Sequence, residues 1–589
     1  MLKSAALFLC GFCWLYTFHT TAQLLTEISG LLVGSKKSIS LPNPPNFPSN
    51  IPLRLGTYEN WANELSIQDL WIATPSHYRD IVTLANWAYA NNFTLRASGY
   101  MHNWSPLTVT KANRFVKNVV LVDTKAALIR MALTQSPYAN TMAVQVQTGV
   151  TVTDLLTFLE ENGLGVYAVP APGGITIGGA LAIGGHGTSV PAIGETEPPG
   201  FSYGTISNLV ISLTAVVWDP AQQTYGLKTF RRSETETKAF LVHLGRTFLT
   251  EATLMVGPNY NLRCISRTDI PSDELFADPT SVNADTRTFA RFLNESGRIE
   301  TILFPFTGIP WLKVWSICPN KPRSLLTRTV TRPYNYIVPN TIPEFLSMIV
   351  GNASNSIGIL NPLFGTTERL LASVGNLATL SFDIWGKSKN LLLYVKETTI
   401  RQTACGYAII TTRGNVQRIV SRLTVFYNHL LRDYASKNLY PINGVIEMRA
   451  SALDYSNKVV PDGESPSLSV LHPVDGHPEY DTAIWLSILS YPYSTHQNEA
   501  YQTIESFIFR EFHGVDSVVR VEWSKGFAYS LDEGGWTAPH VLNEVIPSTF
   551  PATSSLNGWN YAISVFDKYD PHRIFSNTFL DQVLVKESK

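Results

Sequence analysis

Charge is scarce in this chain. Asp, Glu, Lys and Arg together make up 15% of 589 residues, well under the usual quarter of a soluble domain. Neither sign dominates: 45 basic residues face 46 acidic ones. A near-zero balance excludes a nucleic-acid binder that works by bulk electrostatics. Cysteine is also rare, at five residues. Cys10 and Cys13 lie in the first apolar stretch, leaving Cys264, Cys318 and Cys405. Three cysteines allow at most one internal disulfide, so no disulfide framework carries the fold. Their spacing fits no metal site, and none is expected. After the N-terminus no run of about 18 apolar residues occurs, so no membrane span is expected. Fixed-period repeats and low-complexity tracts are absent too.

What remains is a chain that is 44% apolar and long enough for two or three domains around a large core. Disorder on this scale is excluded by the same composition. Lys3 followed by the apolar run Ala5 to Tyr16 and then T-T-A-Q reads as a secretory signal peptide over 1–22, cleaved near Ala22. The run is too short to span a bilayer comfortably. Secretion to the extracellular space is the expectation. Sequons at Asn92, Asn294 and Asn352 then mark glycosylation sites. A fourth, at Asn103, precedes Pro106 and is expected to be buried and unmodified.

The Pro-rich stretch 23–60, with L-P-N-P-P-N-F-P at Leu41 to Pro48, predicts an extended arm. From Trp71 an α+β pattern begins. Ser76 is placed to cap a helix ending near Asn91, and Thr151 a second one stopped by Gly163. Val119–Val122, Met142–Gln147, Leu209–Val217 and Glu251–Val256 read as strands.

Two segments carry chemistry. Arg96 to Pro106 reads R-A-S-G-Y-M-H-N-W-S-P, which puts His102 on a turn leaving a buried strand. Pro172 to Ser189 reads P-G-G-I-T-I-G-G-A-L-A-I-G-G-H-G-T-S. Glycines of that density let backbone N–H groups come close to a phosphate. The segment matches neither the Rossmann nor the P-loop pattern.

Together these segments resemble the flavin-binding loops of the vanillyl-alcohol-oxidase/p-cresol-methylhydroxylase flavoproteins. Nearly the whole chain after residue 40 is similar to the covalently flavinylated cholesterol oxidases of that superfamily. The similarity runs through W-I-A-T-P-S, S-N-L-V, P-F-T-G-I-P-W-L-K-V-W, P-Y-N-Y-I, E-W-S-K-G and D-P-H-R. It implies an α+β fold with a two-subdomain FAD-binding domain at 61–262 and a substrate-binding α+β domain at 263–555. A C-terminal segment, 556–589, is expected to return to the FAD domain. FAD is the implied cofactor, joined covalently through His102. Ser98, Gly99, Tyr100, Met101, Gly173, Gly178, Gly179, Gly185, His186, Gly187, Ser189 and Asn577 are the implied cofactor-binding residues, His186 by hydrogen-bonding backbone.

The same similarity singles out Glu447 and Arg449 in V-I-E-M-R, with Glu300 and Lys525, as catalytic. Residues two apart on a strand share a face, so Glu447 and Arg449 would stand side by side. A carboxylate can take the hydroxyl proton of an alcohol while a cation stabilises the alkoxide. Taken alone, E-x-R on a strand reads as a surface salt bridge.

Two positions depart from the cholesterol-oxidase pattern. Ala404 replaces an acidic residue and Ser487 an asparagine. Both bear on the pocket or its oxygen path. The expected activity is oxidation of a secondary hydroxyl on a small apolar or aromatic substrate by O2, with H2O2 as coproduct. A steroid fits the resemblance, and an aromatic cyanohydrin such as mandelonitrile fits the departures. A sugar-lactone or polyol oxidase is a second reading, and a non-catalytic flavin carrier a third. No residue pattern sets the oligomeric state, and a dimer is the default.

Overall fold

The protein is described by a computed structural model covering residues 41–585, apart from 139–140, 197, 199–200, 334–360, 396–400, 462, 493 and 551–557. The expected signal peptide, Cys10, Cys13, the first part of the expected arm, Asn352 and most of P-Y-N-Y-I lie outside the described residues. Residues 48–589 form one compact unit.

Among the described residues, three sheets build that unit. In the first, Leu53–Glu59, Ser66–Ala73, Val119–Asp123 and Thr94–Ser98 lie in that order. The expected arm therefore ends earlier than residue 60. Leu53–Glu59 is an edge strand, antiparallel to Ser66–Ala73. The second sheet is antiparallel, in the order Met131–Gln135, Met142–Gln147, Phe248–Pro258, Val210–Asp219 and Thr224–Arg231. The third has nine strands: Arg328–Val330, Asp383–Lys387, Asn261–Arg267, Trp311–Ile317, Arg298–Leu303, Ile446–Ala452, Thr482–Ser490, Thr403–Thr411 and Ser517–Val521.

Helices follow from local chemistry. Tyr78–Asn91 buries Ile81, Leu84, Ala85, Trp87 and Ala88 on one face. His77 caps it rather than Ser76: its ring accepts from the Arg79 N–H, and Asp80 reaches back to the His77 N–H. Ser76 is drawn to the same Asp80 carboxylate. Thr151 does cap Val152–Glu161, and Gly163 follows with φ +71°, a left-handed conformation that ends a helix at little cost in glycine.

A continuous apolar core runs from Leu107 to Leu584, through both halves of the unit. The C-terminal segment packs onto the first half. Asp570 accepts from Tyr225 Oη at 2.6 Å and from Arg246 Nη1 at 2.6 Å, and Leu95 N–H donates to Ile574 O. Cys264 and Cys405 are buried, and Cys318 is partly exposed. Among the described residues no helix is long and apolar enough to cross a membrane, and no cluster of side chains could hold a metal ion.

Candidate active site

A cavity of about 530 Å³ opens between the loops of the first half and one face of the nine-stranded sheet. Ser98, Gly99, Tyr100, Met101 and His102 line it, as do Gly178, Gly179, Gly185, His186 and Gly187. Glu300, Glu447, Arg449 and Lys525 line it from the sheet side. Three residues expected at the cofactor lie off this wall. Gly173 packs on Thr153, whose Oγ1 would be 2.1 Å from an added Cβ. Ser189 is buried and donates to Tyr203 O. Asn577 caps the last helix and donates to Pro106 O and Leu107 O. It therefore braces the His102 loop from behind.

That loop is held in an unfavourable backbone. Met101 sits at φ +55°, a region that costs energy outside glycine. The surroundings enforce it. Trp104 N–H donates to Ser524 O at 2.8 Å, Trp104 Nε1 to Gln402 O at 2.7 Å, and Ser105 Oγ to Trp523 O at 2.6 Å. The Asn103 amide is spent within the loop, donating to Ser105 O at 2.5 Å. The His102 ring lies 3.9 Å from that of Trp61. Burial, then Lys525 and Arg401, pull its pKa down to about 3. His102 is thus a neutral imidazole with a nucleophilic nitrogen.

The glycine segment works differently from the expectation. The Gly178 N–H donates to Thr148 O at 2.9 Å and the Gly179 N–H to Thr176 Oγ1 at 3.3 Å. These donors are used inside the protein, so they are not spare donors for a phosphate. What the glycines supply is close approach. A Cβ on Gly99 would fall 2.7 Å from Thr176 Oγ1, and one on Gly178 would fall 2.9 Å from Thr148 Cβ. Only without side chains can the His102 loop, the short helix Ile177–Ala182 and Thr148 meet.

Sheet register assembles the charged wall. Glu300 stands opposite Lys313 on one side and Arg449 on the other. Lys313 Nζ donates to Glu300 Oε2 at 2.7 Å; Arg449 Nε and Tyr394 Oη donate to Oε1 at 2.6 and 2.9 Å. Arg449 Nη2 then donates to Glu447 Oε2 at 2.6 Å. Glu300 is 0% exposed. Burial pushes its carboxyl up, but Lys313 and Arg449 outweigh burial and hold it at about 2. With both oxygens engaged, Glu300 anchors Arg449. Glu447, bonded through one oxygen to Arg449, is the carboxylate of this network left for a substrate.

A second charged group faces the first. Lys525 Nζ lies 3.4 Å from the Trp104 ring centroid. Burial lowers its pKa, against the attraction of Glu522 and Glu447. Glu522 is buried; burial raises its carboxyl, and Lys525 foremost brings it to about 2. His186 stacks on Trp485 at 3.5 Å and 5°, its Nδ1 facing Gly187 O at 3.0 Å. The backbone contact expected of His186 is there. Ala404 packs in an apolar cluster with Trp61, Ala62 and Trp104. Ser487 stands opposite Glu447, and its buried Oγ has no hydrogen-bond partner.

Sequence reasoning missed Lys313, Tyr394, Trp485, Glu522 and His243. The motif around Lys313 was visible, but only sheet register shows that it meets Glu300. His243 also lines the cavity, as do Thr148 and Thr247. Its Nδ1 accepts from the Gly245 N–H at 3.2 Å, so the ring hydrogen belongs on Nε2. That Nε2 is buried without a partner. A buried donor left unpaired is costly and marks a place for an acceptor-bearing ligand.

Residues 70–219 match the family described as FAD binding domain, and residues 261–585 the family described as cholesterol oxidase, substrate-binding. The structure of a solvent-stable cholesterol oxidase is 42% identical, with a TM-score of 0.87 over 92% of this chain and 100% of that one. Cholesterol oxidase from B. sterolicum is 37% identical, with a TM-score of 0.88 over 92% and 99%. A chitooligosaccharide oxidase, 8% identical with a TM-score of 0.54 over 92% and 98%, shares the fold alone. No curated protein sequence matches the chain. The unpaired His243 donor, the close-packed backbone wall and a cavity that runs between them and the charged sheet all fit FAD.

Proposed function

This chain belongs to the vanillyl-alcohol-oxidase-type flavoproteins that join an FAD-binding domain to a cholesterol-oxidase substrate-binding domain, and we propose that, as an FAD-linked oxidase of CH–OH groups, it oxidises a secondary hydroxyl on an apolar or aromatic substrate. When bound, FAD supplies the acceptor for the hydride and delivers both electrons to O2, giving H2O2.

The observation that carries this reading is the Glu447–Arg449 pair, 2.6 Å apart on the cavity wall. Glu447 takes the hydroxyl proton. Arg449 and Lys525 place positive charge where the alkoxide develops. Glu300, Lys313 and Tyr394 keep the Arg449 guanidinium aimed, so little reorganisation is needed at the moment of reaction. Phe304, Trp311, Val445 and Leu489 give the cavity an apolar floor, which suits a steroid-type or aromatic alcohol better than a polyol.

His102 is the point of covalent attachment in this reading. Its neutral ring and its place in the cavity beside Trp61 support the assignment. A covalent tether would keep a secreted enzyme from losing a cofactor it cannot replace. Secretion rests on the N-terminal apolar run and the sequons. Asn92 is exposed at a helix end, whereas Asn294 is half-buried with its Oδ1 enclosed. Asn92 is thus the better glycan acceptor of the two.

The test is anaerobic mixing of the flavin-loaded protein with a 3β-hydroxysteroid, mandelonitrile and a simple polyol, followed by flavin absorbance. Bleaching by either apolar alcohol, reversed by air with release of H2O2, is expected. Bleaching by the polyol alone, or by none of the three, would overturn the substrate class.

A further inference from the structure

Successive rows of side chains on the nine-stranded sheet form the floor of the cavity. Arg449 stands opposite Trp485 and Glu447 opposite Ser487; next, the Leu489 N–H donates to Val445 O at 2.9 Å. Since every second residue faces the same way, the step from Glu447 to Val445 turns the floor from charged to apolar. Phe304, Trp311 and Val445 continue that apolar patch, packed by Ala372 and Leu489.

Beyond the patch polarity returns. Tyr491, two residues past Leu489, donates to Glu368 Oε1 at 2.9 Å. Gln402 immediately precedes Thr403, which pairs with Ser490, so it stands level with Tyr491. Glu368, on the helix Asn361–Ala378, and Gln402 both line the cavity. Glu368 Oε2 is buried without a hydrogen-bond partner, and Gln402 Nε2 is buried with no more than a long contact to the Tyr491 hydroxyl. Gly444 leaves the amide its place, because a Cβ there would fall 2.8 Å from Gln402 Nε2. The four steps along the chain from Ser487 to Tyr491 span roughly 13 Å at about 3.3 Å each.

The geometry points to Glu368 and Gln402 as a specificity site that grips a hydrogen-bond-accepting group at the far end of a fused-ring alcohol, whose hydroxyl lies at Glu447 and Arg449. Two polar groups left under-satisfied beside the apolar part of the cavity are costly to fold, and a substrate acceptor would satisfy both. Among the described residues no cation pairs with Glu368. Burial moves its carboxyl up to about 7, against the Tyr491 hydrogen bond. A protonated Oε2 then donates alongside the Gln402 N–H. A single-ring alcohol is too short to reach both ends. This inference rests on the alcohol-oxidase reading and adds the second anchor.

The experiment compares kcat/KM for a 3β-hydroxysteroid carrying a ring-D ketone with that for its 17-deoxo counterpart. A single-ring secondary alcohol serves as a third substrate. The wild-type enzyme is expected to prefer the ketone by about tenfold, the worth of one net hydrogen bond, with the difference in KM. Glu368→Leu should bring the ratio close to one, Gln402→Leu should lower it, and Glu368→Gln, which keeps a donor, should retain most of it. A ratio that Glu368→Leu leaves unchanged, or a wild type indifferent to the ketone, overturns the specificity site while the oxidase reading stands. Turnover of the single-ring alcohol with neither steroid oxidised overturns the fused-ring assignment alone. Turnover of no alcohol at all overturns both readings.

Discussion

The two walls of the cavity are built on opposite principles. The flavin-side wall is backbone and ring. It takes its shape from missing side chains at Gly99 and Gly178, a forced turn at Met101 and a neutral His102. The sheet-side wall is flat and regular, and its function lies in long charged side chains. Lys313, Glu300 and Arg449 lie across three neighbouring strands, and Glu447 hangs from the last. A loop wall can bend around a large ligand. A sheet wall cannot bend, but it holds charge at fixed spacing, which electrostatic stabilisation of an alkoxide requires.

This contrast can be broken first at Glu300. Glu300→Gln leaves Lys313 and Arg449 buried with half their counter-charge gone. Loss of a buried ionic partner costs about 3–5 kcal/mol, readable as a lower denaturant midpoint. The pH dependence has a definite sign. The native pKa of Glu300, at about 2, lies below its ordinary 4.5. Its stabilisation is complete above about 4.5 and disappears as pH falls toward 2. Wild type should therefore lose its advantage over Glu300→Gln within that window, and a gap that stays constant from pH 6 to pH 2 would contradict the network.

Glu447→Gln tests the chemistry of the same wall with less damage to the fold. Flavin reduction by an apolar alcohol should slow by about 10²–10³-fold, the usual loss on removing one transition-state group. Stopped-flow rates within a few-fold of wild type would move the base elsewhere, with Glu522 the next carboxylate to try.

Across the cavity, His102→Ala should leave a folded protein whose flavin comes away on acid denaturation. Turnover is expected to drop about tenfold, or about 1.4 kcal/mol. Flavin that stays with the denatured variant chain would refute attachment at His102.

The smallest effect is expected at Ser487, the departure nearest Glu447. Its buried hydroxyl has no partner, so Ser487→Ala removes an unsatisfied group. We expect unchanged or slightly higher stability, by up to about 1 kcal/mol. A clear loss in thermal melting would show that the hydroxyl is bonded after all.

Much of this was readable in one dimension. Local hydrogen bonding placed the caps to within a residue: Thr151 as expected, His77 in place of Ser76 because the Asp80 side chain reaches back to its N–H. Alternation predicted Met142–Gln147 to the residue and the shared face of Glu447 and Arg449. Family resemblance supplied the candidate loops. It also suggested phosphate-binding N–H groups at Gly178 and Gly179, which the folded chain uses internally.

By itself, then, the sequence determined the α+β elements, the two glycine- and histidine-bearing loops and a carboxylate–guanidinium pair, because each depends on residues only a few positions apart. Tertiary structure alone decided which charges meet. Glu300 becomes an anchor only through Lys313, thirteen residues on, and Arg449, on a neighbouring strand. Glu368 reaches the cavity only because its helix lies over that sheet. Strand order and register set those encounters, and they depend on the packing of the whole core rather than on any local pattern.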